Sequence, residues 1–372
     1  MYKESDVVRV AKRENNNKRK YLVVNRLQGK HVPVSPKAAF DMFKSLADTI
    51  REEYKDDNLL LVGFAETATA IGAAVAVEIG AKYMQTTREI IPDVDYMFFS
   101  EEHSHATEQK LVKNDIDSVI EDIDRIVFIE DEVTTGNTIL NIIKILEKLY
   151  PDKVSYSVAS LLNGMDSASS KIYQEKDIKV HYILKTTHDG YTQIAESFAG
   201  DGHYIECDTK DHNIQITDFY ANAWENARRV VAADKYVDAC NKLWTQIQNQ
   251  FFNGDNSQKY QNVLVVGTEE FMYPAIYVAR QIENMGITVK THSTTRSPIA
   301  VSTESDYPVH NRYELRSMYD SQRVTFLYDI DKYDCVFVIT DAQDKTTEGV
   351  NSLVNAFSIN GNENIVFINW IK

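Results

Sequence analysis

The chain has 372 residues, of which 43% are hydrophobic, 10% aromatic and 26% charged, enough to build two globular domains of roughly 150 to 200 residues each. Its formal net charge of -15 and sequence pI near 5.1 argue against a general affinity for nucleic acid or anionic membranes, which need a positive field. Any phosphate site must therefore be local. Cys207, Cys240 and Cys335 are far apart and form no CxxC, so neither a disulfide framework nor a zinc site is expected. A cytoplasmic protein is the natural reading, and the first residues contain no apolar stretch of the kind a secretory signal has.

In chain order, "YLVVNRL" (21–27) reads as a strand and 37–54 as a helix with Phe40, Phe43, Leu46 and Ile50 on one face. "LLLVGF" (59–64) reads as a buried strand followed by a helix in "ATAIGAAVAVEIG". The whole stretch 59–81 is long enough to raise a membrane span, which needs about 20 apolar residues. Glu66, Glu78 and the small residues between them favour strand, loop and helix instead. Strands are expected in "YMQTTREII", "DYMFFSEEH", "RIVFIED", "KVSYSVASLLN" and "IKVHYILK", with a helix in "TILNIIKILEKLY" that Pro151 stops. Alternation of short apolar runs with helical periodicity predicts an α/β fold, a mainly parallel sheet flanked by helices. A turn-rich stretch and a long amphipathic helix, "ANAWENARRVVAADKYVDACNKLWTQIQNQ", follow. The boundary is placed near residue 210, giving domains 1–210 and 211–372.

The chemistry concentrates in "IVFIEDEVTTGNT" (126–138). Glu130 and Asp131 leave the apolar strand at its carboxyl end, where open α/β sheets bind ligands. Adjacent carboxylates there can accept hydrogen bonds from two neighbouring ribose hydroxyls. Thr134, Thr135, Gly136, Asn137 and Thr138 then turn into a helix whose N–H groups, with the threonine hydroxyls, suit a sugar phosphate. An N-capped helix with an acidic loop is the plainer alternative, but capping needs one Ser or Thr.

This stretch resembles the phosphoribosyl pyrophosphate (PRPP) motif of type I phosphoribosyltransferases: four apolar residues, two acids, two variable positions, then Thr-Thr-Gly-x-Thr. It departs in carrying Glu130 where Asp is common. The resemblance implies PRPP-dependent phosphoribosyl transfer with Mg²⁺ held mainly by PRPP. It implies a pyrophosphate loop at Ala65, Glu66, Thr67 and Ala68, where an ordinary strand-to-helix turn is the alternative. It also gives Arg88 a pyrophosphate contact, unless Arg88 forms only a surface salt bridge. Residues 100–115 would be a mobile hood, with Glu102, His103 and His105 as general acid or base and Lys110 as countercharge. A metal site or a plain solvated loop remain open for the hood.

More narrowly, "GKHVPVSP", "EEHSHAT", "EDEVTTGNT" and "THSTTRSP" (291–298) look like a two-domain family in which a phosphoribosyltransferase domain precedes a TRSP domain. Its members are associated with tellurite-resistance and stress operons and are thought to make a nucleoside-like metabolite. The second half also echoes the first: "VLVVGTEEFMYPAIYVARQIENMG", "TTRSPI" and "DCVFVITDAQDKTTEGV" parallel "LLLVGFAETATAIGAAVAVEIG", "TTREII" and "DRIVFIEDEVTTGNTI". Gly63 to Arg88 is 25 residues and Gly267 to Arg296 is 29, while Arg88 to Asp131 is 43 and Arg296 to Asp341 is 45. A degenerate duplicate is expected, two unrelated α/β domains being the alternative. Thr340 and Asp341 stand where the paired acids were, so the second half would hold a different phosphate or the acceptor, through Arg296, Ser297, His310 and Arg312. Expected partners are PRPP and an unidentified base-like acceptor, with no nucleic acid, no membrane and a possible homodimer. A PRPP- or nucleotide-sensing regulator that has lost turnover, or a component of a complex, is the competing class.

Overall fold

A computed structural model describes residues 2–14, 19–99, 109–211, 214–253 and 259–372. The contacts divide the chain into two compact units that interleave along the sequence, where the sequence reading draws one cut near 210. One comprises Met1–Tyr2, Phe40–His188 and Glu225–Asp238; the other comprises Lys3–Ala39, Asp189–Trp224 and Ala239–Lys372.

The first unit is built on a six-stranded sheet in the spatial order Val231–Ala232, Lys82–Gln85, Leu59–Gly63, Arg125–Val133, Ser155–Asn163, Lys179–Lys185. All pairings are parallel except that of Val231–Ala232, which adds an antiparallel edge to Lys82–Gln85. Ile126, Val127, Phe128 and Ile129 are fully buried, because a parallel sheet is covered by helices on both faces. Each such side chain contributes about 1.5–3 kcal/mol. Helix Thr69–Ile79 ends at Gly80, whose φ of 77 gives the left-handed cap. Helix Asn137–Leu149 buries Ile139, Leu140, Ile142, Ile143 and Leu146, at the helical spacing the sequence predicts. The Tyr96–Phe99 and Gln109–Val112 strands form an antiparallel pair beside the sheet.

Numbered from the first central strand, the order of the five parallel strands is 2-1-3-4-5. The direction of winding therefore reverses between Leu59–Gly63 and Arg125–Val133. That is the switch point at which doubly wound sheets open a crevice at the carboxyl ends of their strands.

The second unit carries its own five-stranded, all-parallel sheet in the order Ile216–Ala221, Ile365–Trp370, Cys335–Thr340, Asn262–Gly267, Thr288–Ser293. Its last four strands have the order 2-1-3-4 of the first unit, with a switch point between Asn262–Gly267 and Cys335–Thr340. An antiparallel pair, Asn311–Arg316 with Val324–Tyr328, occupies the same place in the chain as the Tyr96–Phe99 pair, and His203–Glu206 lies parallel along it. One apolar cluster in this unit unites Leu264, Val266, Val336, Val338, Leu353, Phe357 and Phe367.

One expectation is corrected. The long helix assigned to residues 221–250 begins only at Ala233 and runs to Phe251; Ile216–Ala221 and Val231–Ala232 are strands because each extends a sheet edge. Val8–Lys12 pairs antiparallel with Tyr21–Asn25. None of the helices among the described residues is long and apolar enough to cross a membrane. Cys207, Cys240 and Cys335 are free thiols, all buried.

Candidate active site

The motif at 126–138 opens onto the first unit's switch point. Leu59–Gly63 pairs with Arg125 to Ile129 and stops there, while Ser155–Asn163 continues alongside as far as Val133. The Arg125–Val133 strand is therefore longer than the four apolar residues suggest. From Glu130 onward it has a neighbour on one side only. Glu130 and Asp131 lie on this half-paired end, each partly exposed.

Asp131 Oδ1 accepts a hydrogen bond from the Thr67 hydroxyl at 2.8 Å, which joins the two loops across the switch point. Burial, and then the charge of Glu132, push the Asp131 carboxyl up to about 6, against the opposing pull of the Thr67 hydroxyl. Glu132 lies 3.1 Å from His188 Nε2, both largely enclosed. His188 also stands 3.2 Å from the Thr186 hydroxyl. This group needs glycine at 164, because a Cβ there would come within 2.3 Å of His188 Nε2.

The turn Thr134 to Gly136 leads into helix Asn137–Leu149. Gly136 has φ 71 at the N-cap, and the Asn137 N–H bonds the Thr135 hydroxyl at 3.3 Å. The close approach at Gly136 is made by Tyr173: its hydroxyl donates to the Gly136 carbonyl at 2.7 Å, and a Cβ on Gly136 would meet Tyr173 ring atoms at 2.7 Å. Burial, followed by the charge of Glu130, raises the Tyr173 phenol well above its ordinary range. A cavity of about 420 Å³ extends from this tyrosine past Asn163, Met165, Tyr182 and Lys185.

The loop at 65–68 sits on the other side of the switch point and contains a cis peptide between Ala65 and Glu66. Its Ala65 N–H donates to the Thr86 hydroxyl at 2.7 Å, its Ala65 carbonyl accepts from Gln109 Nε2 at 2.7 Å, and the Thr86 hydroxyl donates to Gln109 Oε1. The Ala68 N–H donates to the Phe64 carbonyl at 3.0 Å. In the loop expected to hold pyrophosphate, the Ala65 and Ala68 amides are thus bonded within the protein, and Thr67 presents its hydroxyl to Asp131. Glu66 is buried. Arg88 follows Thr87, whose backbone bridges to Lys110, with N–H to carbonyl distances of 2.9 and 3.2 Å. Lys110 lies 4.8 Å over the Tyr96 ring. Glu102, His103 and His105 fall outside the described residues.

In the second unit, Arg296 Nε binds Glu269 Oε2 at 2.8 Å. Ser297 gives its N–H to the Thr295 hydroxyl at 3.2 Å, and its carbonyl accepts from the Tyr328 hydroxyl at 2.6 Å. His310 Nδ1 lies 2.8 Å from the Ser302 carbonyl. Arg312 pairs with Glu14 at 2.6 Å and covers the Tyr204 ring. Arg296 and Arg312 therefore belong to separate ion pairs. Tyr173, Gln109, His188, Glu269 and Arg323 have no signature in the linear sequence. Of these, Gln109 lies within the 100–115 stretch expected as a hood, and Glu269 within the 263–286 stretch that echoes residues 59–81.

Residues 7–188 match a family model described as phosphoribosyl transferase, and residues 232–357 match the TRSP domain that stands C-terminal to it. No curated protein matches the sequence. Similar solved structures include adenine phosphoribosyltransferases from Rhodothermus marinus (13% identity, TM-score 0.34, covering 49% of this chain and 96% of that one) and Leishmania tarentolae (16%, 0.36, 51% and 88%). Another is the Giardia lamblia enzyme complexed with 9-deazaadenine (15%, 0.34, 49% and 94%). The two family matches, and not these likenesses, carry the assignment.

Proposed function

We propose, from a chain that carries a phosphoribosyl transferase domain followed by its TRSP domain, that the first unit's switch point is where PRPP is bound and cleaved. The protein is a phosphoribosyltransferase that uses PRPP. The observation supporting this location is the Thr67–Asp131 hydrogen bond, which joins the PRPP motif to the 65–68 loop across the crevice between Leu59–Gly63 and Arg125–Val133.

In this reading the Thr134 to Thr138 turn and the N-terminus of helix Asn137–Leu149 hold the 5-phosphate. Hydroxyls and backbone N–H groups meet the anion at the positive end of the helix dipole. Tyr173 fixes the Gly136 carbonyl, which keeps the turn in shape before the ligand arrives. Glu130 and Asp131 accept the ribose hydroxyls and place negative charge beside the anomeric carbon as it becomes cation-like, an electrostatic contribution that needs no covalent intermediate. Glu66, Thr67, Arg88 and Lys110 surround the pyrophosphate, Arg88 through bidentate contacts. Mg²⁺ would be carried on PRPP oxygens and water, with Glu130 and Asp131 as the carboxylates able to accept from that water, and it would supply charge neutralisation for the leaving pyrophosphate.

The acceptor is a base-like molecule whose nitrogen takes the ribose 5-phosphate unit, or yields it in the reverse direction. Glu132 and His188 stand at the same strand ends and are the described groups best placed to move a proton at the acceptor, alongside Glu102, His103 and His105 of the hood. The product is a nucleotide in the biosynthesis of a nucleoside-like metabolite, and a role in tellurite and stress resistance rests on the TRSP resemblance. We place the protein in the cytoplasm. Isotope-labelled PRPP incubated with Mg²⁺, candidate bases and lysate metabolites, with products identified by mass, tests the proposal. A labelled nucleotide and released pyrophosphate are expected. PRPP binding with no product from any acceptor would favour the sensor reading.

A further inference from the structure

The cavity of about 420 Å³ beside Tyr173 is lined by helix Ser167–Glu175 on one side and by Lys179–Lys185, the edge strand of the first unit's sheet, on the other. Glu130, Asp131, Glu132 and His188 are not among its described lining residues, so the proposed reaction leaves it unused. Its size suits a molecule of one or two rings, small-molecule sites running from about 300 to 1,000 Å³. Its floor is apolar: Met165 is 3% exposed, Tyr173 1% and Ile178 6%.

Asn163, also in the lining, is 4% exposed. Its Oδ1 accepts from the Met165 N–H at 2.9 Å and from the Lys185 ammonium at 3.2 Å. Both neighbours are donors, which fixes the other end of the amide as the nitrogen. That nitrogen has no partner among the described residues. A buried donor is costly unless something accepts from it, and the cavity gives an acceptor access to it. Lys185 gives a second hydrogen bond to the Met165 carbonyl, so one of its three N–H groups is unused, and no carboxylate among the described residues pairs with it. Of the other charged lining residues, Lys179 pairs with Glu53 and Asp177 is exposed to solvent. Tyr182, 40% exposed, adds an aromatic wall. An apolar floor, an aromatic wall and convergent N–H donors, one of them cationic, complement a flat ring that carries a carboxylate.

We infer that this cavity is an effector site for a small aromatic carboxylate, whose oxygens accept from Asn163 Nδ2 and Lys185 Nζ and whose ring packs on the apolar floor beside Tyr182. Hydrogen bonds from an ammonium to a carboxylate are the strong kind. The site reaches the reaction through Tyr173, which lines the cavity and donates its hydroxyl to the Gly136 carbonyl at 2.7 Å. A ligand packed on Tyr173 favours the state in which that bond is made. It therefore raises PRPP affinity, and PRPP raises its affinity by the same factor. This regulatory half rests on the reading that the Thr134 to Thr138 turn holds PRPP.

The test is titration calorimetry of the full-length protein with 2-naphthoate, an acid with no nitrogen to accept ribose, and with 2-naphthamide as its uncharged control. The acid should bind at one site, about tenfold or more tighter than the amide. Asn163→Asp keeps the acceptor for Met165 and Lys185 but removes the amide donors, and should weaken the acid about tenfold or more. Tyr182→Ala, at an exposed position, should weaken it several-fold, and His188→Gln should leave it unchanged. If Asn163→Asp melts below the assay temperature, Lys185→Gln is read in its place. The site is overturned by no binding, by equal binding of acid and amide, by binding that survives these cavity variants, or by a loss in His188→Gln, which would put the probe on the acceptor side. With the acid saturating, PRPP should bind about fivefold tighter to the wild type and with unchanged affinity to Tyr173→Phe. An unchanged PRPP affinity in the wild type overturns the regulatory half. Should Thr135→Ala leave PRPP affinity unaltered, the PRPP assignment fails and the regulatory half with it, while Asn163 and Tyr182 still decide the site.

Discussion

The two switch points show one scaffold carrying two kinds of carboxylate. In the first unit, Asp131 stands at a half-paired strand end with a threonine hydroxyl as partner, and its carboxyl is pushed up to about 6 by burial and by Glu132. In the second, Glu269 is deeper still, yet two guanidiniums and a serine hydroxyl meet it. Burying a charge is unfavourable unless it is paired. Asp131 therefore weakens its own unit when charged, whereas Glu269 ties its unit together. Identical strand order and threonine-to-loop hydrogen bonds do not fix which of these a crevice does. The side chains set on the repeated loop decide it.

The largest expected break in this contrast is Glu269→Gln. Removing one member of a buried ionic cluster leaves the others uncompensated, which costs about 3–5 kcal/mol. A fall in melting temperature of roughly 10 °C is expected by scanning calorimetry. An unchanged melt would mean that the cluster is not structural.

Next in size is Gly136→Ala. The new Cβ would meet the Tyr173 ring in a left-handed backbone, so the turn proposed to hold the phosphate must distort. PRPP affinity should fall about 100-fold, equivalent to about 3 kcal/mol. Tyr173→Phe, which loses only the bond to the Gly136 carbonyl, should lower it about fivefold. If both variants bind PRPP normally, the turn does not hold the phosphate.

Asp131→Asn should act on stability with the opposite sign to Glu269→Gln. A carboxyl raised in the folded state contributes stability that is full below its unfolded value near 3.8 and is lost as pH rises through about 6. Above pH 7 the asparagine variant should therefore melt a few degrees higher than the wild type, and the gap should close toward pH 4. A variant that melts lower at pH 7.5 would place Asp131 in the same class as Glu269.

The smallest effect is expected at the Glu132–His188 pair. His188→Gln should reduce turnover several-fold, change the pH profile between 6 and 8, and leave PRPP affinity within about twofold, because the imidazole is assigned to the acceptor side. A loss confined to PRPP affinity would move His188 into the PRPP site.

Much of this was legible in the sequence, for a physical reason. Ile126 to Thr138 holds its strand, acids and anion turn within consecutive residues, so local pattern suffices, and the repeat of Gly63, Arg88 and Asp131 in Gly267, Arg296 and Asp341 anticipates the shared strand order. What escaped depends on contacts distant along the chain. Tyr173 reaches Gly136 over 37 residues and Arg323 reaches Glu269 over 54, and nothing in the local pattern of either partner announces the other. The 221–232 stretch reads as helix by its apolar spacing, yet Val231–Ala232 takes its conformation from the exposed edge of Lys82–Gln85. Edge pairing of this kind overrides local periodicity.

The central claim is that PRPP is held by the first crevice and that the second, despite its scaffold, does not hold it. Titration calorimetry of the full chain with PRPP and Mg²⁺ tests this most directly, comparing Asp131→Asn with Thr135→Ala in one protein and Asp341→Asn in another. The first should lose PRPP affinity by at least 100-fold, while Asp341→Asn should stay within about twofold of the wild type. Undiminished binding in the first variant, or an equal loss in both, would contradict the account.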